Sequence, residues 1–267
     1  MTQLAGKVAI VTGGGGGMGR AHAQRLAALG ADVAIIDIDL SVSAKYAEKL
    51  TAETVPDELR AIGVRALGIE ADLSVAEEVR DAVDEVVREF GRIDILINNA
   101  GGAITPISES SALRSSGEDR AVLFAANFET TVNMCQACAP YLMRQGGVVV
   151  NISTIGAFTD DLTARFAMYG AAKAAVEKYS KSLAVELGPH QVRVNCIAPG
   201  LIETPRVKAL AAKRNLATED QASAIPLRRL GQIEDVVGVM EFLVSDLSAY
   251  VTGESIKVAG GHTLVTN

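Results

Sequence analysis

Tyr169 and Lys173 stand four residues apart in a segment rich in Ala, Lys, Glu and Leu, a composition that favours a helix. On a helix, side chains four residues apart lie on one face, so the phenol and the ammonium would be neighbours. A nearby cation favours the phenolate and lowers the pKa of a tyrosine from its usual value of about 10. The pair therefore predicts a tyrosine that acts as a general acid or base near neutral pH.

A cluster of glycines is the second feature with chemical meaning. It contains the pattern Gly13-x-x-x-Gly17-x-Gly19, directly after an apolar run and before a helical one. Glycines permit a tight turn and let backbone N–H groups approach a diphosphate, whose charge a helix N-terminus favours. The turn, with Met18 inside it, predicts a dinucleotide site, and a flexible loop is the alternative for this motif taken alone.

Asp37 ends the second apolar run, 18 residues after Gly19. A carboxylate at that place accepts hydrogen bonds from the adenosine ribose hydroxyls and repels a 2′-phosphate. Neither Ile38, which joins it in the predicted cofactor site, nor the two residues after it carries a compensating positive charge. We therefore expect NAD rather than NADP, and a solvated aspartate at a strand end is the alternative.

The elements that must position these residues follow from periodicity. Apolar runs of strand length recur at 8–11, 33–36, 66–69, 93–97, 148–152, 192–197 and 255–258, and most of the first five are continuous rather than alternating. Helical periodicity falls between runs, at 20–29, 76–90, 169–187 and 233–243. Continuous runs that alternate with helices predict a Rossmann-type doubly wound α/β sheet, parallel and covered by helices on both faces. We expect one domain over residues 1–267, with irregular residues 201–229 as a substrate-binding lid.

Composition excludes several classes of function. The 267 residues carry a net charge of -7, which argues against a nucleic-acid partner. The sequence contains no run of 18 apolar residues, so no membrane span is predicted. The N-terminus lacks a signal-peptide pattern and three cysteines cannot form a disulfide framework, so the reducing cytoplasm is expected. Cys135-x-x-Cys138 has metal-ligand spacing without a second ligand pair, so helix packing is expected and no metal site is predicted.

In order along residues 6–261, the chain resembles the short-chain dehydrogenase/reductase family, in its compact single-domain branch. The motifs that carry the resemblance are Thr12-Gly13-x-x-x-Gly17-x-Gly19, Asp72-Leu73, Asn98-Asn99-Ala100-Gly101, Asn127, Asn151-Ile152-Ser153-Thr154, Tyr169-x-x-x-Lys173, Arg193-Val194-Asn195 and Pro199-Gly200.

The resemblance implies a role for most of these residues. Tyr169 would be the acid/base, Lys173 would lower its pKa and hold the nicotinamide ribose, and Asn127 would anchor a water in a proton relay. The remaining implied residues line the cofactor. Asp72 and Leu73 would bracket the adenine. The adenosine side of the groove would be lined by Asn99, Ala100 and Gly101. The nicotinamide carboxamide would be held by Pro199, Gly200, Ile202 and Thr204. Asn99 and Asn195 have a purely structural alternative. The family also implies a homotetramer.

One position departs from the family pattern. The family usually has a second serine where this chain has Thr154, 15 residues before Tyr169, and Ser153 precedes it. Either hydroxyl can donate a hydrogen bond to the substrate oxygen. Because neighbouring residues leaving a strand point in different directions, only one is expected to face the substrate, and position along the strand favours Thr154.

These observations predict an NAD-dependent oxidoreductase that interconverts a secondary alcohol and a ketone. The substrate pocket is expected to involve residues 105–120, 156–168 and 201–229. One alternative is an NADP-linked 3-oxoacyl-(acyl-carrier) reductase, which Asp37 and the net charge of -7 disfavour. Another is a non-catalytic dinucleotide sensor, which would not be expected to keep both Tyr169 and Lys173.

Overall fold

Parallel strands form the centre of the protein, as the continuous apolar runs predict. The computed structural model describes residues 3–105, 111–160, 166–214 and 218–264. In these ranges seven strands form one sheet in the order β3-β2-β1-β4-β5-β6-β7, and every pairing is parallel. The strands are β1 (Val8–Thr12), β2 (Asp32–Asp37), β3 (Ala66–Glu70), β4 (Ile95–Asn98), β5 (Gly147–Ile152), β6 (Val192–Pro199) and β7 (Ser255–Val258).

Helices cover both faces of this sheet. They are α1 (Gly17–Ala28), α2 (Val42–Lys45), α3 (Val55–Ile62), α4 (Ala76–Phe90), α5 (Gly117–Phe124), α6 (Thr130–Leu142), α7 (Ala167–Leu187), α8 (Pro205–Arg214), α9 (Glu219–Ala224) and α10 (Ile233–Val244). Along β1, Val8 and Ile10 belong to the core shared with α4, α6 and α7, whereas Ala9 and Val11 belong to the core shared with α1, α3 and α10. The predicted single-domain, doubly wound fold is confirmed.

The strand order reverses between β1 and β4. On one side of this boundary β2 and β3 continue the sheet from β1, and on the other side β5 to β7 continue it from β4. Crossovers leave such a point on opposite faces of the sheet, which opens a crevice beyond the carboxyl ends of the two strands. The glycine turn follows β1, and residues 99–101 follow β4. The fold therefore brings two predicted site segments to the edge where ligands bind in sheets of this kind.

Helix boundaries confirm most of the sequence predictions. The helix α4 has both predicted ends, and the left-handed Gly91 terminates it. The expectation of an irregular stretch over residues 201–229 is wrong in part, because α8 and α9 lie within it. Threonines start both helices: Thr204 accepts a hydrogen bond from the Val207 N–H at 3.1 Å, and Thr218 heads a capping box. None of the described helices is long and apolar enough to cross a membrane.

Candidate active site

The glycine turn packs the start of α1 tightly against the end of β1. Gly13 and Gly17 have positive φ angles of 64° and 54°, which glycine adopts without strain. A Cβ on Gly19 would stand 1.9 Å from the carbonyl oxygen of Gly13, so no other residue fits there. The turn thus holds backbone N–H groups at the N-terminus of a helix, the arrangement that binds a diphosphate.

The loop after β4 holds this turn in place. The N–H groups of Asn99 and Ala100 both donate to the Thr12 hydroxyl at 3.0 Å, and the Asn99 amide donates to the Thr12 carbonyl at 3.1 Å. Asn99 is therefore a tether between β1 and β4. Gly101 follows at φ 125°, and a Cβ there would lie 2.5 Å from Oδ1 of Asn127.

Asp37 lies beside the glycine turn, as predicted. Its carboxylate accepts a hydrogen bond from the Gly15 N–H at 2.9 Å, and burial raises its pKa. The next residue, Ile38, is an exposed apolar side chain with 71% of its surface accessible. A carboxylate for ribose hydroxyls and an apolar surface for adenine fit the adenosine half of a dinucleotide.

Asp72 and Leu73 follow β3 and are engaged within the protein. The Asp72 carboxylate accepts from the N–H and the hydroxyl of Ser74, at 2.9 Å and 2.7 Å. Leu73 is buried, and its carbonyl accepts from the Asn133 amide at 3.0 Å. These contacts shape the turn after β3, and the contact of both residues with adenine stays a prediction.

A carboxylate missed by the sequence analysis lies at the N-terminus of α1. The Gly17 N–H donates to both oxygens of Glu48, at 2.9 Å and 3.0 Å. On the same helix, Arg20 forms a two-pronged ion pair with Glu58 at 2.7 Å and 2.8 Å. These partners lie 31 and 38 residues away along the chain, so no local pattern could reveal them.

Tyr169 and Lys173 both lie on α7, which crosses behind the carboxyl end of β5. Gly170 lets α7 approach the turn after β5, because a Cβ on this residue would stand 2.5 Å from the Gly156 carbonyl oxygen. The Lys173 amine is buried and donates to the Ile152 carbonyl at 2.7 Å. Burial lowers the pKa of Lys173 to about 8.

The Tyr169 phenol lies against Thr154. Burial raises the pKa of Tyr169 to about 12, against the charge of Arg206 and a hydrogen bond with the Thr154 side chain, which both lower it. Among the described groups the cation that lowers this pKa is Arg206, and the predicted effect of Lys173 on it stays a prediction. Ser153 lies outside this contact: its hydroxyl is buried and has no hydrogen-bond partner among the described residues.

Asn127 lies in a π-helical turn, Ala125–Glu129, between α5 and α6. Its Oδ1 accepts from the Gly102 N–H at 2.8 Å, and its Nδ2 donates to the carbonyls of Gly102 and Leu123 at 3.0 Å and 2.9 Å. Single π-turns inside helices are frequent at functional sites. The side chain fixes the loop after β4, and the proposed water relay to Lys173 stays a prediction.

The predicted nicotinamide segment follows β6. The Gly200 N–H donates to the Val258 carbonyl at 2.9 Å, and Ile202 is buried beside Gly231. Thr204 caps α8 with its hydroxyl. Further back, the Asn195 amide donates to the Val251 carbonyl at 2.9 Å, which supports the structural alternative for that residue.

The paired cysteines of the sequence analysis lie in the core and not in the cleft. Cys135 and Cys138 are buried in α6 and pack in the core, which confirms the helix-packing prediction. Of the segments expected to line the substrate pocket, residues 106–110, 161–165 and 215–217 lie outside the described part of the chain.

Comparison with known proteins decides the family. The family model described as enoyl-(acyl carrier protein) reductase matches residues 14–263. A cyclohexanol dehydrogenase of Rhodococcus sp. (strain TK6) is 44% identical over 264 residues, which are 97% of each chain. The chain belongs to the short-chain dehydrogenase/reductase family. It is therefore an oxidoreductase, and members of this family bind NAD or NADP.

Solved structures agree with this family assignment. A short-chain type dehydrogenase/reductase from Mycobacterium marinum superposes with a TM-score of 0.86 at 32% identity, covering 99% of this chain and 98% of that one. An NAD+-bound xylitol dehydrogenase superposes with a TM-score of 0.84 at 29% identity, covering 97% and 100%. The glycine turn, Asp37 and Ile38 fit the dinucleotide that this family uses.

Proposed function

We propose that this short-chain dehydrogenase/reductase interconverts a secondary alcohol and a ketone with NAD(H), and that Tyr169 is the acid/base. One observation carries the proposal: on α7 the Tyr169 phenol lies one helical turn before the buried Lys173 amine, and the Thr154 side chain is near enough to lower the pKa of that phenol. A proton donor and acceptor beside a second hydroxyl is what the reacting oxygen of an alcohol or ketone needs. The similarity to a cyclohexanol dehydrogenase supports the same reaction class.

The protein groups divide the work at the reacting oxygen. The dinucleotide, when bound, supplies the hydride acceptor for alcohol oxidation and the hydride donor for ketone reduction. Tyr169 gives a proton to the oxygen in reduction and removes one in oxidation, while Thr154 donates a hydrogen bond to the same oxygen. The raised pKa of Tyr169 keeps its phenol protonated at neutral pH, so reduction is favoured there and oxidation increases as the pH rises.

The Tyr169→Phe variant tests the role of the phenol. Turnover should fall by about 10²-fold or more, because a positioned acid/base is lost. NADH absorbance, followed with a panel of cyclic secondary alcohols and their ketones, measures the change. Tyr179→Phe removes a phenol ten residues further along α7 and is the matched control, expected to keep wild-type turnover. Near wild-type activity of Tyr169→Phe on a working substrate would refute the assignment.

The preference for NAD has a separate test in Asp37→Ala. Loss of the carboxylate should weaken NADH binding by more than NADPH binding, because it removes an acceptor for ribose hydroxyls and a repulsive charge near a 2′-phosphate. Fluorescence titration of both cofactors measures this, with Asp39→Ala, an exposed neighbouring carboxylate that binds Ser41, as the control. A wild-type protein that binds NADPH tenfold more tightly than NADH contradicts the proposal.

A carrier-linked reductase is the second candidate, favoured by 36% identity over 264 residues to a 3-oxoacyl-[acyl-carrier-protein] reductase of Thermotoga maritima. It predicts turnover of a 3-oxoacyl thioester with NADPH in preference to any cyclic ketone with NADH.

With the alcohol dehydrogenase proposal we also propose a reducing cytoplasmic location and a homotetramer. The first rests on three free, buried cysteines and the second on family resemblance.

A further inference from the structure

The segment after β6 brings an arginine into the cleft. Arg206 is the second residue of α8 and is partly buried. Its guanidinium lies against the loop after β4, since a methyl group on Gly102 would stand 2.8 Å from Nη1 of Arg206. Gly102 is itself held by Asn127 through its N–H and its carbonyl. The side chain thus reaches from the lid to a loop that borders the crevice.

The positive charge of Arg206 also acts on the proposed acid/base. Against the dominant effect of burial, it is the foremost of the influences that lower the pKa of the Tyr169 phenol. Coulomb interaction falls with distance and with exposure to water, so the guanidinium and the phenol share one poorly solvated space. The substrate oxygen is proposed to bind in that same space.

No carboxylate among the described residues lies within 4.0 Å of the Arg206 guanidinium. Glu203, at the start of the same segment, is paired with Lys208 at 3.7 Å and with the Gln232 amide at 2.9 Å. Arg229 contrasts with Arg206, because it binds both carboxylate oxygens of Asp235. A partly buried guanidinium that has no acidic partner among the described residues is available to bind an anion from outside the chain.

We propose that Arg206 binds an anionic oxygen group on the molecule that enters the cleft beside Tyr169, and that this group is a carboxylate carried by the substrate. The inference rests on the proposed function and narrows its substrate class to secondary alcohols or ketones that also bear a carboxylate. A guanidinium matches a carboxylate with two parallel hydrogen bonds, which give orientation as well as affinity.

The dinucleotide diphosphate is a second source of the same chemistry. The position of Arg206 favours the substrate, because the guanidinium acts on the Tyr169 phenol and touches Gly102, whereas the diphosphate is expected at the N-terminus of α1. The two sources are separated by measuring binding of a carboxylate probe and of NADH independently.

Calorimetric titration of the full-length protein, with and without NADH, tests the proposal without requiring turnover. The probes are cyclohexanecarboxylate and its neutral analogue cyclohexanecarboxamide. We expect NADH-loaded wild type to bind the carboxylate about tenfold or more tightly than the amide, since a charge-assisted, two-pronged hydrogen bond supplies that difference. Arg206→Met should abolish the preference and Arg206→Lys should keep part of it. Lys208→Met, on the exposed side of the same helix, should keep it all.

The outcomes are distinct once circular dichroism shows that each variant is folded. A preference for the carboxylate that disappears only in Arg206→Met supports the substrate assignment. NADH binding that weakens tenfold in Arg206→Met, with no carboxylate preference in wild type, assigns the anion to the diphosphate and overturns the substrate class. If the affinities of Arg206→Met for cyclohexanecarboxylate and for NADH both stay within twofold of wild type, Arg206 binds no anion. Failure of the proposed function is recognised separately, by the absence of turnover in the absorbance assay both with the neutral cyclic alcohols and ketones and with their carboxylate-bearing analogues.

Discussion

At the residue scale, the Tyr169 phenol oxygen is where burial and hydrogen bonding act in opposite directions. Burial dominates and leaves the pKa of this group at about 12, although Arg206 and Thr154 favour the phenolate. Lys173 is held by the Ile152 carbonyl, and its own pKa is lowered to about 8 by burial. The protonated phenol is thus the resting form, and Arg206, ahead of the Thr154 hydroxyl, is the protein group that most favours the charged form.

Thr154→Val and Ser153→Ala separate the two candidate hydroxyls. Valine keeps the shape of threonine but lacks the donor to Tyr169 and to the substrate oxygen, so kcat/KM should fall by about 10²-fold. Ser153→Ala removes a buried hydroxyl that has no partner among the described residues, so kcat/KM should stay within about threefold. Steady-state rates of both variants measure this, and the reverse ranking would assign the role to Ser153.

A site residue can be predicted from the sequence when the residues that it acts with lie close to it along the chain. Tyr169, Lys173 and the glycine turn could be predicted because each chemical feature falls within eight residues of sequence. Glu48 and Arg206 could not, since Glu48 meets Gly17, and Arg206 meets Gly102, only once segments far apart in sequence pack together. The same holds for the buried chain of hydrogen bonds from Asn98 through Asn151 to Ser180, which joins β4, β5 and α7.

At the element scale, the site depends on how closely α7 approaches the turn after β5. Gly170 lies between Tyr169 and Lys173, and its missing side chain leaves room for the Gly156 carbonyl. Continuous apolar runs predicted the strands, and glycine stops predicted the ends of α4, because these signals are local. Periodicity carries no information on such an approach, since a helix with alanine at this position would have the same pattern.

Gly170→Ala tests this contact between elements. The added methyl would stand 2.5 Å from a backbone oxygen, so α7 must move away and carry Tyr169 from Thr154. We expect kcat/KM to fall by about tenfold or more, because small displacements of catalytic groups are costly, with an overpacking cost of about 1–3 kcal/mol in stability. Gly238→Ala is the matched control on α10. Nothing lies within 4 Å of its added methyl, and alanine favours a helix, so activity should stay and stability should not fall.

Assay of both glycine variants with one substrate, together with thermal unfolding, distinguishes a local from a general effect. If Gly170→Ala keeps wild-type kcat/KM, the close approach of α7 is not needed for activity. Equal losses in Gly170→Ala and Gly238→Ala would instead mean that any added methyl on these helices is harmful.

At the scale of the whole molecule, the helix α1 on one face of the sheet buries a histidine that no catalytic role explains. His22 lies on α1 and is fully buried. Neither of its ring nitrogens has a hydrogen-bond partner among the described residues. Burial lowers the pKa of His22 to about 4, because the charged ring would have to leave water.

The depressed pKa of His22 makes the stability of the fold depend on pH. The folded pKa of about 4 lies below the usual unfolded value of about 6.5, so the unfolded chain binds the proton more readily. Stability is therefore fully present above pH 6.5 and falls as the pH drops towards 4, by about 2 kcal/mol at pH 5. His22→Leu should lose less stability than wild type between pH 8 and pH 5, as measured by thermal unfolding at both values. His190→Leu, at an exposed histidine, is the control and should keep the wild-type difference. An unchanged acid sensitivity in His22→Leu would show that the buried ring does not set it.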